Sequence, residues 1–479
     1  MKKIRRNIRT GFFILLGLFL FLLGYFCYGI LFYGDRWFAN SYNVRVRLNQ
    51  VEPDIIPGDI LDRKGTVLAT TAKKTIKGEN GEELEYYYRT YHKDARATAH
   101  VVGFHNPQYG RLGAEAFHIR YLMGYNNNFL ERIYQKAFLP RENGNNIQLT
   151  VDLDLQRYIS EKLGNRKGSV VLLNPRTGEI LAMVSHPSFD PNDMETVGED
   201  NLVNRATQGL YPPGSIFKVI TAASALENGD DLKNMVYDCR GTTFIGQAQI
   251  NCYGKEAHGA LDTAHALAVS CNGFFAHLGI RTGWEKLLRT GNLFGFNQDF
   301  LFDDIKVVAS RLPLSSKVSK EELAWDAVGQ GKVLVTPLHM AMVAAAIANR
   351  GVMMEPKLIY SVIGRRGQMQ KQLEPEVFAI VLSPENAMLL SSMMELVVEK
   401  GTGKGARLGD IRLAGKTGTA EVQSTDGQKD QDHSWFIGFG PLDEPSLAIA
   451  VIIENGGSGG ASAAPLAGDI LYKAMQMGY

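Results

Sequence analysis

The first pattern in the chain is a break in polarity. From Thr10 to Gly34 no residue is charged, and residues 11–32 are dense in Phe, Leu, Ile and Tyr. About 20 consecutive apolar residues cross a bilayer as a helix, so residues 11–34 are predicted to be a membrane span. A cleaved signal peptide is the competing reading. It has a shorter apolar core followed by a small-residue cleavage site, and no convincing site follows here, so an uncleaved anchor is expected. Residues 35–150 are polar and irregular. Within them, Pro57-Gly58-Asp59-Ile60-Leu61-Asp62-Arg63-Lys64-Gly65 reads as a short strand running into a turn. Residues 73–85 are charged and contain glycine, and read as a surface loop. No repeat of fixed period is present.

The texture changes near Ile147. Residues 168–173 and 179–184 are apolar runs separated by Asn174-Pro175-Arg176-Thr177-Gly178, which predicts a hairpin with a longer loop. Residues 447–453 are almost wholly apolar, as in a buried strand. Residues 464–477 have helical spacing. Between these ends, apolar and Ala-rich helices are predicted over 215–229, 336–349 and 383–400. Strands at both ends with helices between them suggest one α/β domain over about 150–479.

Charge adds direction to this picture. The chain has 479 residues, 45% hydrophobic and 21% charged, an ordinary globular mixture. The net charge is +1, but residues 1–34 hold Lys2, Lys3, Arg5, Arg6 and Arg9 and no acid. Removing those five from 51 basic residues leaves 46 against 50 acidic ones. A mildly acidic body is a poor partner for nucleic acid. The basic cluster should stay in the cytoplasm, so the rest of the chain is expected outside a single-pass anchor.

Three short motifs carry candidate chemistry. In Pro212-Pro213-Gly214-Ser215-Ile216-Phe217-Lys218, a helix is predicted to start near Ser215, which sets Ser215 and Lys218 on one face. A serine is a weak nucleophile until a base takes its proton, and lysine serves only when burial or a neighbouring cation lowers its pKa. The apolar helix after Lys218 supplies burial. S-x-x-K alone arises by chance about once in a chain this long, and taken by itself a capping serine with a snorkelling lysine is the preferred reading. The second motif is Ser270-Cys271-Asn272, a relay hydroxyl and a peptide-binding amide. It is weak alone, because Ser41-Tyr42-Asn43 also fits; Cys271 reads as a small core residue. The third is Lys416-Thr417-Gly418-Thr419, expected on a strand continuing through Ala420-Glu421-Val422. Its cation and hydroxyls suit a carboxylate, and Gly418 would leave room for a ligand along the strand. Its chance expectation is about 0.1 per chain.

The order S-x-x-K, S-x-N, K-T-G is that of the serine penicillin-recognising enzymes, and the chain resembles a class B penicillin-binding protein over most of its length. Supporting pieces are Gly329-Gln330-Gly331 with Thr336-Pro337-Leu338, Trp435-Phe436-Ile437-Gly438-Phe439, and Gly58 to Gly65, where Pro57 replaces the family's leading arginine. The resemblance implies a cytoplasmic tail at 1–10, the anchor at 11–34, an elongated pedestal at 35–150 and a transpeptidase domain at 151–479. That domain would be a penicillin-binding or serine β-lactamase-like α/β (α+β) fold, an antiparallel sheet flanked by helices. It implies peptidoglycan D,D-transpeptidase activity on D-Ala-D-Ala stem peptides, with covalent inhibition by β-lactams. Ser215 would form the acyl-enzyme, Lys218 would be the base and Ser270 would relay a proton. Asn272, Lys416, Thr417, Gly418 and Thr419 would bind substrate, and the N–H groups of Ser215 and Thr419 would form the oxyanion hole. No cofactor or metal is implied. A membrane glycosyltransferase of the SEDS family is expected as partner, because residues 35–150 are too few for a strand-making domain.

Rival readings are weighed on specific residues. Gly456-Gly457-Ser458-Gly459-Gly460 matches a nucleophile elbow, but such enzymes need a later histidine and the last is His433; a Gly-rich turn bordering the site is preferred. Ala414-Gly415-Lys416-Thr417 resembles a P-loop, but Asp410 stands where the first glycine belongs. A β-lactamase of class A would need E-x-x-L-N, which is absent. A D,D-carboxypeptidase or a membrane-bound β-lactam sensor remains as alternative. Cys239 and Cys252 are expected to form a disulfide in preference to free thiols. Zinc held by them with His258 and His265 is disfavoured, because that spacing fits a finger poorly.

Overall fold

The computed structural model describes residues 2–38, 55–77, 83–124, 142–230, 232, 234–300, 302, 304–313, 318–364, 367–421 and 432–479. Ser41-Tyr42-Asn43 and Val422 lie outside them. The polarity break becomes one helix, Lys2–Phe38. Its apolar stretch Arg9–Phe26 is unburied within the chain and long enough to cross a membrane, which fits a single-pass membrane protein. Gly11, Gly17 and Gly24 have nothing packed against them.

After the helix comes a six-stranded sheet. Its order is Met369–Gln372, Ile359–Ile363, Asn146–Leu149, Ile60–Leu61, Val67–Lys77, Glu83–Tyr91. The charged stretch expected as a loop is largely strand. Val67–Lys77 and Glu83–Tyr91 pair antiparallel from Ala69↔Tyr91 to Lys77↔Glu83. Threonines and tyrosines outweigh the charges here because both types suit a pleated, half-exposed surface. The sheet also crosses position 150: Ile359–Ile363 pairs antiparallel with Asn146–Leu149. The turn at Asp62-Arg63-Lys64-Gly65 forms as expected. One Asp62 oxygen accepts the N–H groups of Lys64 and Thr66, and the other accepts that of Leu153. Beside Pro57 lies a cation from the outer strand Glu83–Tyr91. Arg89 Nε donates to Glu115 at 2.6 Å and Nη1 to the Pro57 carbonyl at 3.4 Å, with Arg89 and Glu115 both buried.

The second sheet has five antiparallel strands in the order Ile180–His186, Gly168–Leu173, Leu447–Ile453, His433–Gly440, Ala414–Ala420. Residues 447–453 are continuously apolar because both faces are covered. Ile449, Val451 and Ile453 pack with the helices Leu153–Leu163 and Ala463–Gln476. Ala448, Ala450 and Ile452 face the larger core that includes Pro337–Ala348. Period-two alternation therefore survives as a division between two cores rather than between core and water. The helices expected near 336–349 and 383–400 are Pro337–Ala348 and Pro384–Glu399, capped by Thr336 and Ser383 with proline in the first turn. This arrangement leaves Ala414–Ala420 at the sheet's edge, facing the helical layer.

Candidate active site

Ser215 lies in a 3-10 turn, Gly214–Phe217, that leads directly into the helix Lys218–Glu227. The turn is pressed onto the edge strand. Gly214 has φ +56°, and a side chain there would meet Thr419 O at 2.5 Å. Its N–H donates to Gly329 O at 2.9 Å, and Gly329 in turn has no room for a side chain beside Gly214 O. The expected reason for Gly418 is corrected here. A methyl group at Gly418 would lie about 3 Å from Pro213 O, Ile216 and Trp435, so the glycine lets the Ser215 turn close on the strand rather than clearing space for a ligand. Trp435 Nε1 donates to Pro212 O at 3.1 Å and fastens the same junction.

The three motifs converge on two buried amines. Lys218 Nζ lies 3.0 Å from Ser215 Oγ, 3.1 Å from Ser270 Oγ, 2.7 Å from Ser270 O and 2.6 Å from Asn272 Oδ1. Lys416 Nζ reaches Ser270 Oγ at 2.9 Å and Thr417 O at 2.8 Å. Both lysines are 0% exposed, while Ser215, Ser270, Asn272 and Thr419 are half-buried. Two of the four oxygens around Lys218 are carbonyls, which only accept. A neutral amine satisfies both with its two N–H groups and turns its lone pair to the hydroxyls, as a base for Ser215 requires.

Burial pushes the Lys218 ammonium down to about 8, partly offset by the sulfurs of Cys271 and Cys252. Burial and then the charge of Lys218 hold Lys416 well below the usual lysine range. Two amines sharing the Ser270 hydroxyl do not both hold a proton without mutual cost.

The second motif is held in an unusual conformation. Ser270 has φ +59°, a region rarely adopted by residues other than glycine. Cys271 caps the helix Asn272–Thr282 through its sulfur. The Asn272 amide nitrogen donates to Asn251 O at 2.6 Å, which turns Oδ1 toward Lys218. Both ends of this amide are thus engaged within the chain.

Several contributors lie outside the three motifs. Thr402, in a Gly401-Thr402-Gly403 loop after Pro384–Glu399, hydrogen-bonds the Thr417 hydroxyl, and its N–H donates to Ala268 O at 3.0 Å. Gln330 Nε2 donates to Thr419 O at 3.0 Å. Gly459 N–H donates to Thr419 Oγ1 at 3.3 Å, so the Gly-rich turn does border the site. Tyr211 OH and Arg205 Nε both donate to Glu454 at 2.7 Å and brace the segment ahead of Pro212. A threonine between two glycines just past a helix is the one signal that could have pointed to Thr402.

The expected disulfide does not form. Cys239 and Cys252 are free thiols with sulfurs 3.7 Å apart, beyond the roughly 2.05 Å of a bond. His265 is exposed and bonds Asp262. Cys27 lies in the helix Lys2–Phe38.

The penicillin-binding protein transpeptidase domain model matches residues 168–472. The chain is 34% identical over 423 residues to a Mycolicibacterium smegmatis protein named peptidoglycan D,D-transpeptidase PbpA, a match covering 82% of this chain and 85% of that one. Among solved structures, the D,D-transpeptidase domain of a peptidoglycan glycosyltransferase from Eggerthella lenta is similar at TM-score 0.77 and 32% identity, covering 88% of this chain and 99% of that one. Penicillin-binding protein A from Mycobacterium tuberculosis, as a ceftriaxone acyl-enzyme complex, is similar at TM-score 0.78 and 30% identity, with the same coverage.

Proposed function

Because the chain belongs to the penicillin-binding protein transpeptidase family and is a peptidoglycan D,D-transpeptidase, we propose that Ser215 is its nucleophile and that Lys218, Ser270 and Lys416 move the protons. One observation carries this reading: Lys218 Nζ touches the hydroxyls of Ser215 and Ser270, and Ser270 Oγ connects it to Lys416. Ser215 Oγ attacks the carbonyl between the two terminal D-alanines as Lys218 takes its proton. The terminal D-alanine leaves with a proton passed through Ser270. The acceptor amine then attacks the ester, returns its proton along the same path and frees Ser215.

The substrate would lie along the free edge of Ala414–Ala420, where a peptide adds as one more strand. Lys416, Thr417 and Thr419 would hold its carboxylate, and Asn272 would exchange a contact within the chain for one to the peptide. The N–H groups of Ser215 and Thr419 would stabilise the oxyanion, a contribution of about 2.7–4 kcal/mol per donor in related chemistry. A β-lactam opened by the same attack keeps its leaving nitrogen tethered, so its ester persists. Digestion of chain treated with a fluorescent penicillin should yield the label on the Ser215 peptide; label on another residue overturns the assignment.

The proposed organisation is a cytoplasmic tail at 1–10, an anchor at 11–34, a pedestal at 35–150 and a transpeptidase domain at 151–479, with the 359–372 hairpin lent to the pedestal sheet. The five basic residues ahead of the span support a cytoplasmic N-terminus. A SEDS-family polymerase is the proposed partner inside the bilayer. Gly17 and Gly24, seven residues apart on the anchor, have nothing against them and permit close helix approach. Replacing residues 11–34 by an unrelated span should preserve penicillin binding, weaken co-purification with the polymerase and impair growth. Full complementation by the exchanged chain would reduce the helix to an anchor.

A further inference from the structure

Next to the second motif lies a cluster that the transpeptidase chemistry does not use. Cys239 ends the strand Tyr237–Cys239, and Cys252 follows the strand Ala248–Asn251. His258 precedes the strand Gly259–Leu261, and Cys271 precedes the helix Asn272–Thr282. The pairing of Cys239 with Gly259 brings His258 beside Cys239, and Cys252 N–H donates to Gly241 O to close the intervening hairpin. The four ligand atoms all lie within 4.8 Å of one another. Cys239 Sγ is 3.7 Å from Cys252 Sγ and 3.3 Å from His258 Nδ1, and Cys252 Sγ is 3.8 Å from Cys271 Sγ.

These separations match the edges of a zinc tetrahedron. Zn–S bonds of about 2.3 Å and a Zn–N bond of about 2.0–2.1 Å, at tetrahedral angles, place sulfurs about 3.8 Å apart and sulfur and nitrogen about 3.5 Å apart. A disulfide between any two of the cysteines would leave the third sulfur and the imidazole without a role. Phe274 N–H donates to Cys271 Sγ at 3.4 Å, so that sulfur already accepts from the start of the helix. All three cysteines are buried and His258 is half-buried, which leaves the cluster close to the surface. The finger-like spacing sought in the sequence is absent because the ligands come from four separate segments, with Cys271 in place of His265.

We propose that Cys239, Cys252, His258 and Cys271 form a structural zinc site that clamps the Ser270-Cys271-Asn272 loop. The three thiols bind as thiolates, releasing their protons to solvent, and His258 binds as neutral imidazole through Nδ1. With four protein ligands the ion has no open position and takes no part in the acyl transfer. Its effect is positional. Cys271 stands between the two residues that touch Lys218, and Asn251, next to Cys252, accepts the Asn272 amide. The left-handed backbone at Ser270 must be held by its surroundings. The segment 237–261 has only two-stranded ribbons and few buried side chains to do so. A metal supplies folding energy where the core is thin.

The test uses the full chain purified in detergent with reductant and without chelator. About one zinc per chain is expected by elemental analysis, since four-ligand sites of this type bind one ion. Exchange with cobalt(II) should produce thiolate-to-metal charge-transfer bands together with the visible bands of a tetrahedral ion. Neither readout depends on catalysis, so failure here is distinct from failure of the transpeptidase reading. Cys239→Ser and His258→Ala should each lose the ion. Stripping zinc from the unaltered chain should slow penicillin acylation by about 10²-fold, the scale of a 1 Å misplacement, with recovery on adding zinc. A chain free of metal that forms no cobalt–thiolate band overturns the proposal. So does a two-proton mass deficit removed by reductant, which would place two of the sulfurs in a disulfide.

Discussion

Ser215→Ala abolishes covalent labelling by a fluorescent penicillin and leaves the chain folded. Loss of the nucleophile in other serine acyl-transfer enzymes lowers turnover on the order of 10⁶-fold, which puts labelling below detection. The fold should tolerate the change because the Ser215 side chain is half-buried and fills no core. Lys218 keeps Ser270 O, Ser270 Oγ and Asn272 Oδ1 as partners when the Ser215 hydroxyl is removed. The thermal midpoint of the variant should therefore stay close to that of the parent. Gel fluorescence and a melting curve on the same preparation measure both quantities. Undiminished labelling in a folded variant would remove Ser215 from the mechanism.

The contrast between Ser215 and its glycine neighbours shows what a sequence carries and what it omits. Ser215 and Lys218 are one helical turn apart, so their meeting is local and was legible from spacing alone. The meeting of Lys218 with Ser270, and of Ser270 with Lys416, depends on chain separations of 52 and 146 residues. Only the order of the three motifs hinted at those contacts. Gly418 was picked out but explained wrongly, because the strand says nothing about the Ser215 turn that packs against it. Thr402 is missed for the same reason: its partner Thr417 is supplied by the fold, and the local signal, a threonine between two glycines, does not name that partner. Residues 73–77 and 83–85 are strand and not loop because they continue the strands that Thr70, Thr71 and Tyr86 to Tyr88 build on either side, while residues 78–82 lie outside the described residues.

The cysteines follow the same logic. Cys239 and Cys252 are near in sequence, so a disulfide was the natural expectation. Cys271 was set aside as a core residue, although it completes the cluster. Long-range pairing also decides the six-stranded sheet, where Ile359–Ile363 returns to Asn146–Leu149 across more than 200 residues. Helices and hairpins, which are built from near neighbours, were placed to within a few residues. Sheet order and ligand sets were not, because both are settled by which distant segments bury their apolar faces together.

Lys218→Ala slows acylation by about 10²–10⁴-fold, the range for loss of a positioned base, and removes one limb of the pH profile. The sign follows from the direction of the shift. Lys218 is a cationic acid whose pKa falls from 10.5 to about 8, mainly through burial. Below that value it holds its proton and offers Ser215 no lone pair; above it the base is free. In the unaltered chain the acylation rate should therefore rise with pH and level off above about 8. Lys218→Ala should show a low rate without that rise. Lys416→Ala should leave the position of the rise close to that of the parent, because the repulsion between the two amines lowers Lys416, whereas Lys218 is lowered by burial. Stopped-flow acylation by a chromogenic cephalosporin between pH 6 and pH 10, roughly the interval around a lysine lowered by burial, measures all three profiles. A wild-type rise retained in Lys218→Ala would transfer the base role to another group. A rise in Lys416→Ala displaced to higher pH would show that Lys416 also holds a proton while Lys218 titrates.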